Sequence, residues 1–150
     1  MSRRDQIRLN DEEVRRFLAA SKTLILTTNG PGGYPHPMPM WFLLGDDATI
    51  SITTYKVSQK VKNIQRDPRV SVLAESGTEY SELKGVVLYG HAEIIDDLDT
   101  VIDTLIAASG QRNEEGIRAA LTKNASKRVV IRLKPERVVS WDHSKLGGTY

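Results

Sequence analysis

Apolar and polar positions alternate in short runs through much of the chain, and the punctuation between runs is glycine, proline and aspartate. Residues 23–28 are rich in β-formers, residues 29–33 form a glycine-rich turn, and 37–44 return as a second strand, so the stretch reads as a hairpin. A Gly-Asp-Asp turn at 45–47 leads into a third strand at 49–54, where Ile50 and Ile52 alternate as a half-buried strand requires. Residues 58–65 follow as a helix that the Asp67-Pro68 pair stops, and 69–75 form a fourth strand. After a polar loop at 76–81 comes a long strand at 86–95. Strands at 128–133 and 138–141, separated by a Lys134-Pro-Glu136 turn, close the chain.

Helical spacing interrupts this pattern in a few places. Asn10-Asp-Glu-Glu13 has the form of a capping box ahead of Val14, Phe17 and Leu18, and predicts an amphipathic helix ending near Ser21 that plugs one end of the fold. An acidic start at 96–99 precedes Val101, Ile102, Leu105 and Ile106, and 114–123 supply another helix. Helices do not follow every strand, so the pattern predicts an antiparallel barrel rather than alternating βαβ units. No internal repeat or low-complexity segment breaks it.

At 150 residues the chain suits a single domain spanning 1–150, long enough to remove roughly 68 to 70% of its unfolded surface from water. The absence of cysteine excludes disulfides, thiolate metal sites and cysteine nucleophiles, and fits a reducing cytoplasm. A polar N-terminus with no apolar stretch behind it predicts a soluble protein without membrane span or signal peptide. Net charge is only +2, from 21 Lys and Arg against 19 Asp and Glu, which argues against nucleic acid as a partner. Basic residues do gather at 56–69 and 123–137, where a small polyanion could be held.

The chemistry concentrates between residues 50 and 68. Thr53 and Thr54 supply hydroxyls at a strand end, Ser58 can cap the following helix, and Lys60 lies in its first turn. If Lys56, Ser58, Gln59 and Lys60 converge there, a phosphate meets free helix N–H groups and charge-assisted donors together. Upstream, prolines at 35, 37 and 39 remove three backbone donors and predict an edge strand, which either is protected by proline against aggregation or exposes its carbonyls and the remaining N–H groups of Met38, Met40 and Trp41 to a ligand. The thioethers of Met38 and Met40 offer a soft surface to an aromatic ring. His36, His91 and His143 have no metal-pair spacing, no Gly-x-Ser-x-Gly elbow occurs, and the acidic pairs read as caps and turns.

Taken in order, these segments resemble the split-barrel flavin-binding family of pyridoxamine 5'-phosphate oxidases and deazaflavin (F420) dependent oxidoreductases. The resemblance rests on residues 50–68 with Arg69-Val-Ser-Val-Leu73, on Gly33-Tyr-Pro-His-Pro-Met-Pro-Met-Trp-Phe42, and on Gly85-Val-Val-Leu-Tyr-Gly-His-Ala-Glu93. The ending Ser140-Trp-Asp-His-Ser-Lys-Leu-Gly-Gly148 resembles the actinobacterial deazaflavin branch. It implies a mainly β (α+β) fold, a six- or seven-stranded antiparallel split β-barrel with peripheral helices, assembled as a homodimer with the cofactor between subunits. In that frame Pro37, Met38, Pro39, Met40 and Trp41 line the cofactor ring, Thr53 and Thr54 touch the ribityl-phosphate region, and Lys56, Ser58, Gln59 and Lys60 serve the phosphate. Ser58 and Gln59 stand where the family often has arginine, which lowers the positive charge there. Lys84 and Trp141 match positions that reach the partner's site. The implied cofactor is F420, with FMN as the alternative, and the implied activity is hydride transfer to an unsaturated or conjugated small molecule. A carrier without turnover is the competing reading.

Overall fold

The computed structural model describes residues 1–149, which fold into a mainly β split barrel with eight strands and five α-helices. The strands are β1 (Thr23–Asn29), β2 (Pro35–Trp41), β3 (Leu43–Leu44), β4 (Ile50–Tyr55), β5 (Arg69–Ser76), β6 (Lys84–Ile95), β7 (Arg128–Leu133) and β8 (Arg137–Asp142). The helices are α1 (Arg3–Ile7), α2 (Asp11–Ala20), α3 (Gln59–Arg66), α4 (Leu98–Ser109) and α5 (Glu115–Ala125). The strand expected over 37–44 breaks at Phe42 into β2 and β3, because β3 leaves β1 and pairs with β4 instead. The short α1, capped by Ser2, has no buried residue and hence no apolar periodicity from which to predict it. No described helix is long and apolar enough to cross a membrane.

Every strand pair is antiparallel, in the order β2-β1-β5-β6-β7-β4-β3. The twelve residues of β6 serve two partners on one edge, β8 along Lys84 to Tyr89 and β7 along Ala92 to Ile95. Gly90 lies where those partners part. A Cβ there would come within 2.7 Å of the Leu133 side chain and 2.9 Å of the Lys134 carbonyl. Only glycine lets the sheet divide this closely.

Inward positions fill the barrel with Leu24, Leu26, Ile50, Ile52, Val72, Val86, Leu88, Ile131 and Leu133, each no more than 2% exposed. Burial of each side chain is worth about 1.5–3 kcal/mol. Val14 and Leu18 of α2 close one end, as the capping box at Asn10 and Glu13 predicts. Helices α4 and α5 cover the other face of β7, packing Val101, Ile102 and Ile106 around Val130. Arg118 of α5 clamps the two helices by bonding Asp99 and Asp103 of α4.

Candidate functional site

The hairpin of β1 and β2 fixes which backbone groups face outward. Antiparallel residues alternate between exchanging both hydrogen bonds with the partner strand and turning both groups away. Proline cannot donate, so the bonded positions of β2 are His36, Met38 and Met40, opposite Thr28, Leu26 and Leu24. The turn keeps the same phase, since Gly30 N–H donates to the Tyr34 carbonyl at 2.8 Å. Pro35, Pro37 and Pro39 therefore turn their carbonyls to the free edge. Of the N–H groups expected to face a ligand, those of Met38 and Met40 are spent on β1, and only Trp41 keeps one outward.

Beside this edge lies a cleft of about 460 Å³ between the β2–β3 stretch, β4 and α4. Pro39, Met40 and Trp41 form one wall, Leu105 of α4 another, and Ser51 and Thr53 the polar floor. At its end Arg128 stacks on the Tyr55 ring, with the guanidinium carbon 4.4 Å from the ring centroid. Met38 and Trp41 are exposed, Trp41 by 80%. Thr53 joins this cleft because it shares a face of β4 with Val130, on the side that α4 covers.

Thr54 points the other way, and Lys60 comes to it. The Lys60 ammonium donates to Thr54 Oγ1 at 3.2 Å, and the residue is only 9% exposed. Burial pushes its pKa below the ordinary 10.5. Ser58, just before α3, has a buried hydroxyl with no hydrogen-bond partner among the described residues. It was expected to cap the helix and does not. Gln59 donates to Asn63 Oδ1 at 2.8 Å, and Asn63, fully buried, donates to Thr28 Oγ1 at 3.0 Å. That chain anchors α3 on β1. Lys56 turns from the helix start to Asp96, 2.8 Å away, so its charge is already paired. The segment thus brings Lys60 and Thr54 together, leaves the buried Ser58 hydroxyl without a partner among the described residues, and commits Gln59 and Lys56 elsewhere.

Trp141 lies across β6 on Gly85, its register partner, so closely that a Cβ on Gly85 would meet its ring at 2.3 Å. Lys84, one residue away, faces Asp142 at 3.6 Å and lies over the Phe17 ring. Burial alone would raise the Asp142 carboxyl, yet bonds from the Ser144 hydroxyl and N–H, with Lys84, hold it below its ordinary value. Neither Lys84 nor Trp141 lines this cleft. His91 bonds Glu136 on the outer barrel face, His143 bonds the Tyr80 carbonyl, and His36 keeps a buried, unpartnered Nδ1 opposite Thr28. The pattern along the chain did not disclose Arg128, Leu105 or Asn63. Arg128 belongs to a basic run that was legible, but only the Tyr55–Arg128 register places it in the cleft.

A split antiparallel barrel with a cleft beside a proline-bearing edge strand and a lysine-bearing helix start defines a class of cofactor-binding barrel. The chain belongs to the pyridoxamine 5'-phosphate oxidase family, whose model matches residues 10–142. Among solved structures, conserved hypothetical protein Rv2991 from Mycobacterium tuberculosis is 34% identical, with a TM-score of 0.88 over 100% of this chain and 95% of that one. An F420 reductase is 20% identical, with a TM-score of 0.63 over 83% of this chain and 94% of the other. An FAD-binding protein from Mesorhizobium loti is 20% identical, with a TM-score of 0.60 over 88% and 92%. At those identities the last two carry the fold alone. No curated protein matches.

Proposed function

We propose that this chain is an oxidoreductase that binds coenzyme F420 beside the free edge of β2 and directs it at an unsaturated or conjugated small molecule. One observation carries the reading. The Lys60 ammonium is buried with a single neutral partner, and the Ser58 hydroxyl at the start of the same helix is buried with none among the described residues. A buried cation without a counter-charge is costly, and an anion at the start of α3 would relieve that cost while using the free helix N–H groups. The buried cation suits the phosphate of a ring-bearing cofactor that passes round the end of β4, whose other face holds the cleft with Pro39, Met40 and Thr53 for the ring.

The reduced deazaflavin supplies the hydride. The protein's share is to orient the ring against β2, to ground its phosphate at Lys60, and to admit substrate and a proton from water through the exposed mouth of the cleft. F420 is preferred to FMN because Ser58 and Gln59 stand where the family often carries arginine, and because residues 140–148 resemble the deazaflavin branch.

The second part of the proposal is a homodimer with the cofactor at the interface. On the outer face of the sheet Pro39, Ile25, Leu73, Val87 and Val139 stand in one register row across five strands, half-buried or exposed. Trp141 flanks that row. A second copy covering this face would bring Trp141 toward the partner's cleft, whereas Lys84 stands on the opposite face over the Phe17 ring.

Titration of the purified protein with F420 and with FMN tests the assignment, followed by absorbance assays of reduced F420 against activated alkenes and quinones. We expect F420 to bind, and Lys60→Ala to weaken it by at least about tenfold, or 1.4 kcal/mol. Binding of FMN alone would overturn the choice of cofactor.

A further inference from the structure

We propose that Arg128 is the anchor of a carboxylate, and that the cleft accordingly takes a small organic acid as its substrate. The inference rests on the reading above only in taking the cleft for the place where the substrate enters. It starts from a charge without a counter-charge. Of the described residues that line the cleft Arg128 alone is charged, and the others are apolar or carry hydroxyls. No described residue forms an ion pair with it, and the two acids of α4, Asp99 and Asp103, both bond Arg118 instead. The guanidinium is also held in place. Its face rests on the Tyr55 ring, 4.4 Å from the centroid, and its Nε donates to Asn124 Oδ1 at 3.1 Å. Both terminal nitrogens are left without a partner among the described residues. A planar fork fixed through its face and its Nε, and free at its tips, matches the two oxygens of a carboxylate and loses little freedom in binding them.

The register of β7 adds a second cation behind the first. Arg132 lies on the same face as Arg128 and reaches Ser51 Oγ, on the cleft floor, at 3.5 Å. A phosphate dianion would ask for more than one fork, and Lys56, the next cation at this end of β4, is already paired with Asp96. A monoanion with an apolar body suits the cleft better: Arg128 meets its charged end, and Met40 and Leu105 flank the rest. The glutamyl tail of F420 carries carboxylates too. It begins beyond the phosphate, which the reading above puts at Lys60 on the opposite face of β4. An arginine that merely stacks on a tyrosine would give no preference for an acid over its amide, so a structural role is separable by experiment.

The test measures binding of sorbate and cinnamate, each against its neutral amide, to the full chain without cofactor, by chemical-shift titration. Each pair shares a conjugated body and differs in its terminal charge. Wild type is expected to bind at least one acid about fivefold or more tightly than its amide. Arg128→Gln should bring that ratio to within about twofold, and Arg128→Lys, which keeps the charge and loses the fork, should retain part of it. Melting temperatures verify that the variants fold, and the wild-type ratio needs no variant. Acids that fail to bind, or bind no better than their amides, would overturn the inference, as would a preference that Arg128→Gln leaves intact. A parallel titration with F420 separates the other source of carboxylate. Equal F420 affinity in wild type and Arg128→Gln is expected, and a loss of about tenfold or more would assign Arg128 to the cofactor's tail and overturn the inference. Acid binding through Arg128 in a protein that does not bind F420 would uphold the inference and remove the proposed function.

Discussion

Lys60 shows how one residue can work against the fold it belongs to. Its ammonium is buried against a threonine hydroxyl, and burial lowers its pKa from the ordinary 10.5. Below the lowered value the folded protein carries the full penalty of holding the charge; above 10.5 neither state is charged and the penalty is gone. Lys60 thus favours folding progressively more as pH rises through that window. Lys60→Met should raise the stability of the ligand-free protein at pH 7 by on the order of 1 kcal/mol while abolishing tight cofactor binding. Chemical denaturation of both proteins across alkaline pH checks it, and the difference between them should shrink toward pH 10.5. The type of residue was legible in the sequence; its burial was not, because that depends on β4 turning Thr54 inward. A second local strain lies in the β3–β4 turn, where Asp47 and Ala48 have φ of 55° and 57° while Thr49 N–H bonds the Asp46 carbonyl. Two central residues with positive φ suit glycine. Asp47 already suits the first of these positions, so Ala48→Gly should stabilise by about 1 kcal/mol, read from the denaturation midpoint.

At the scale of elements, what the pattern predicts and what it hides separate along physical lines. Seven of the eight strands follow from alternation, and α2 to α5 from helical spacing, since both signals are local. Register is not local. Nothing near residue 85 announces that it will lie beneath a tryptophan 56 positions on, yet the β6–β8 ladder puts Trp141 on Gly85. Asp142 then fixes the end of β8 through Ser144 and Lys84, and Lys145 ties the following turn to Glu13 at 2.8 Å. Gly85→Ala would drive a methyl into the Trp141 ring, and β8 has little freedom to yield. The substitution should cost about 1–3 kcal/mol, as overpacking commonly does. It should also shift the Trp141 emission maximum, measured in a Trp41→Phe background so that the other indole is silent. Unchanged emission with unchanged stability would mean that the ring is held from somewhere other than β6.

For the whole molecule, the sheet's outer face is the surface that the fold of one chain does not account for. The core residues give β1, β5 and β6 each an inner apolar face, but Ile25, Leu73 and Val87 are apolar on the opposite face too. A strand apolar on both faces reads as fully buried, and here one side remains open in the single chain. The residues below that row, Thr27, Ser71, Tyr89 and Arg137, are polar or amphipathic, as the rim of an interface is. If a second copy covers the row, the particle mass in solution is twice 16.7 kDa. Val87→Glu, at the fourth of the row's five strands, then buries a charge against the partner and should yield a monomer by sedimentation equilibrium. Lys60 lies on the inner side of the barrel, so in that monomer the phosphate end of the cofactor site survives while any contribution from the partner's Trp141 is lost. Cofactor affinity should therefore fall in Val87→Glu without loss of melting temperature. Retained wild-type affinity in a true monomer would place the whole site within one chain.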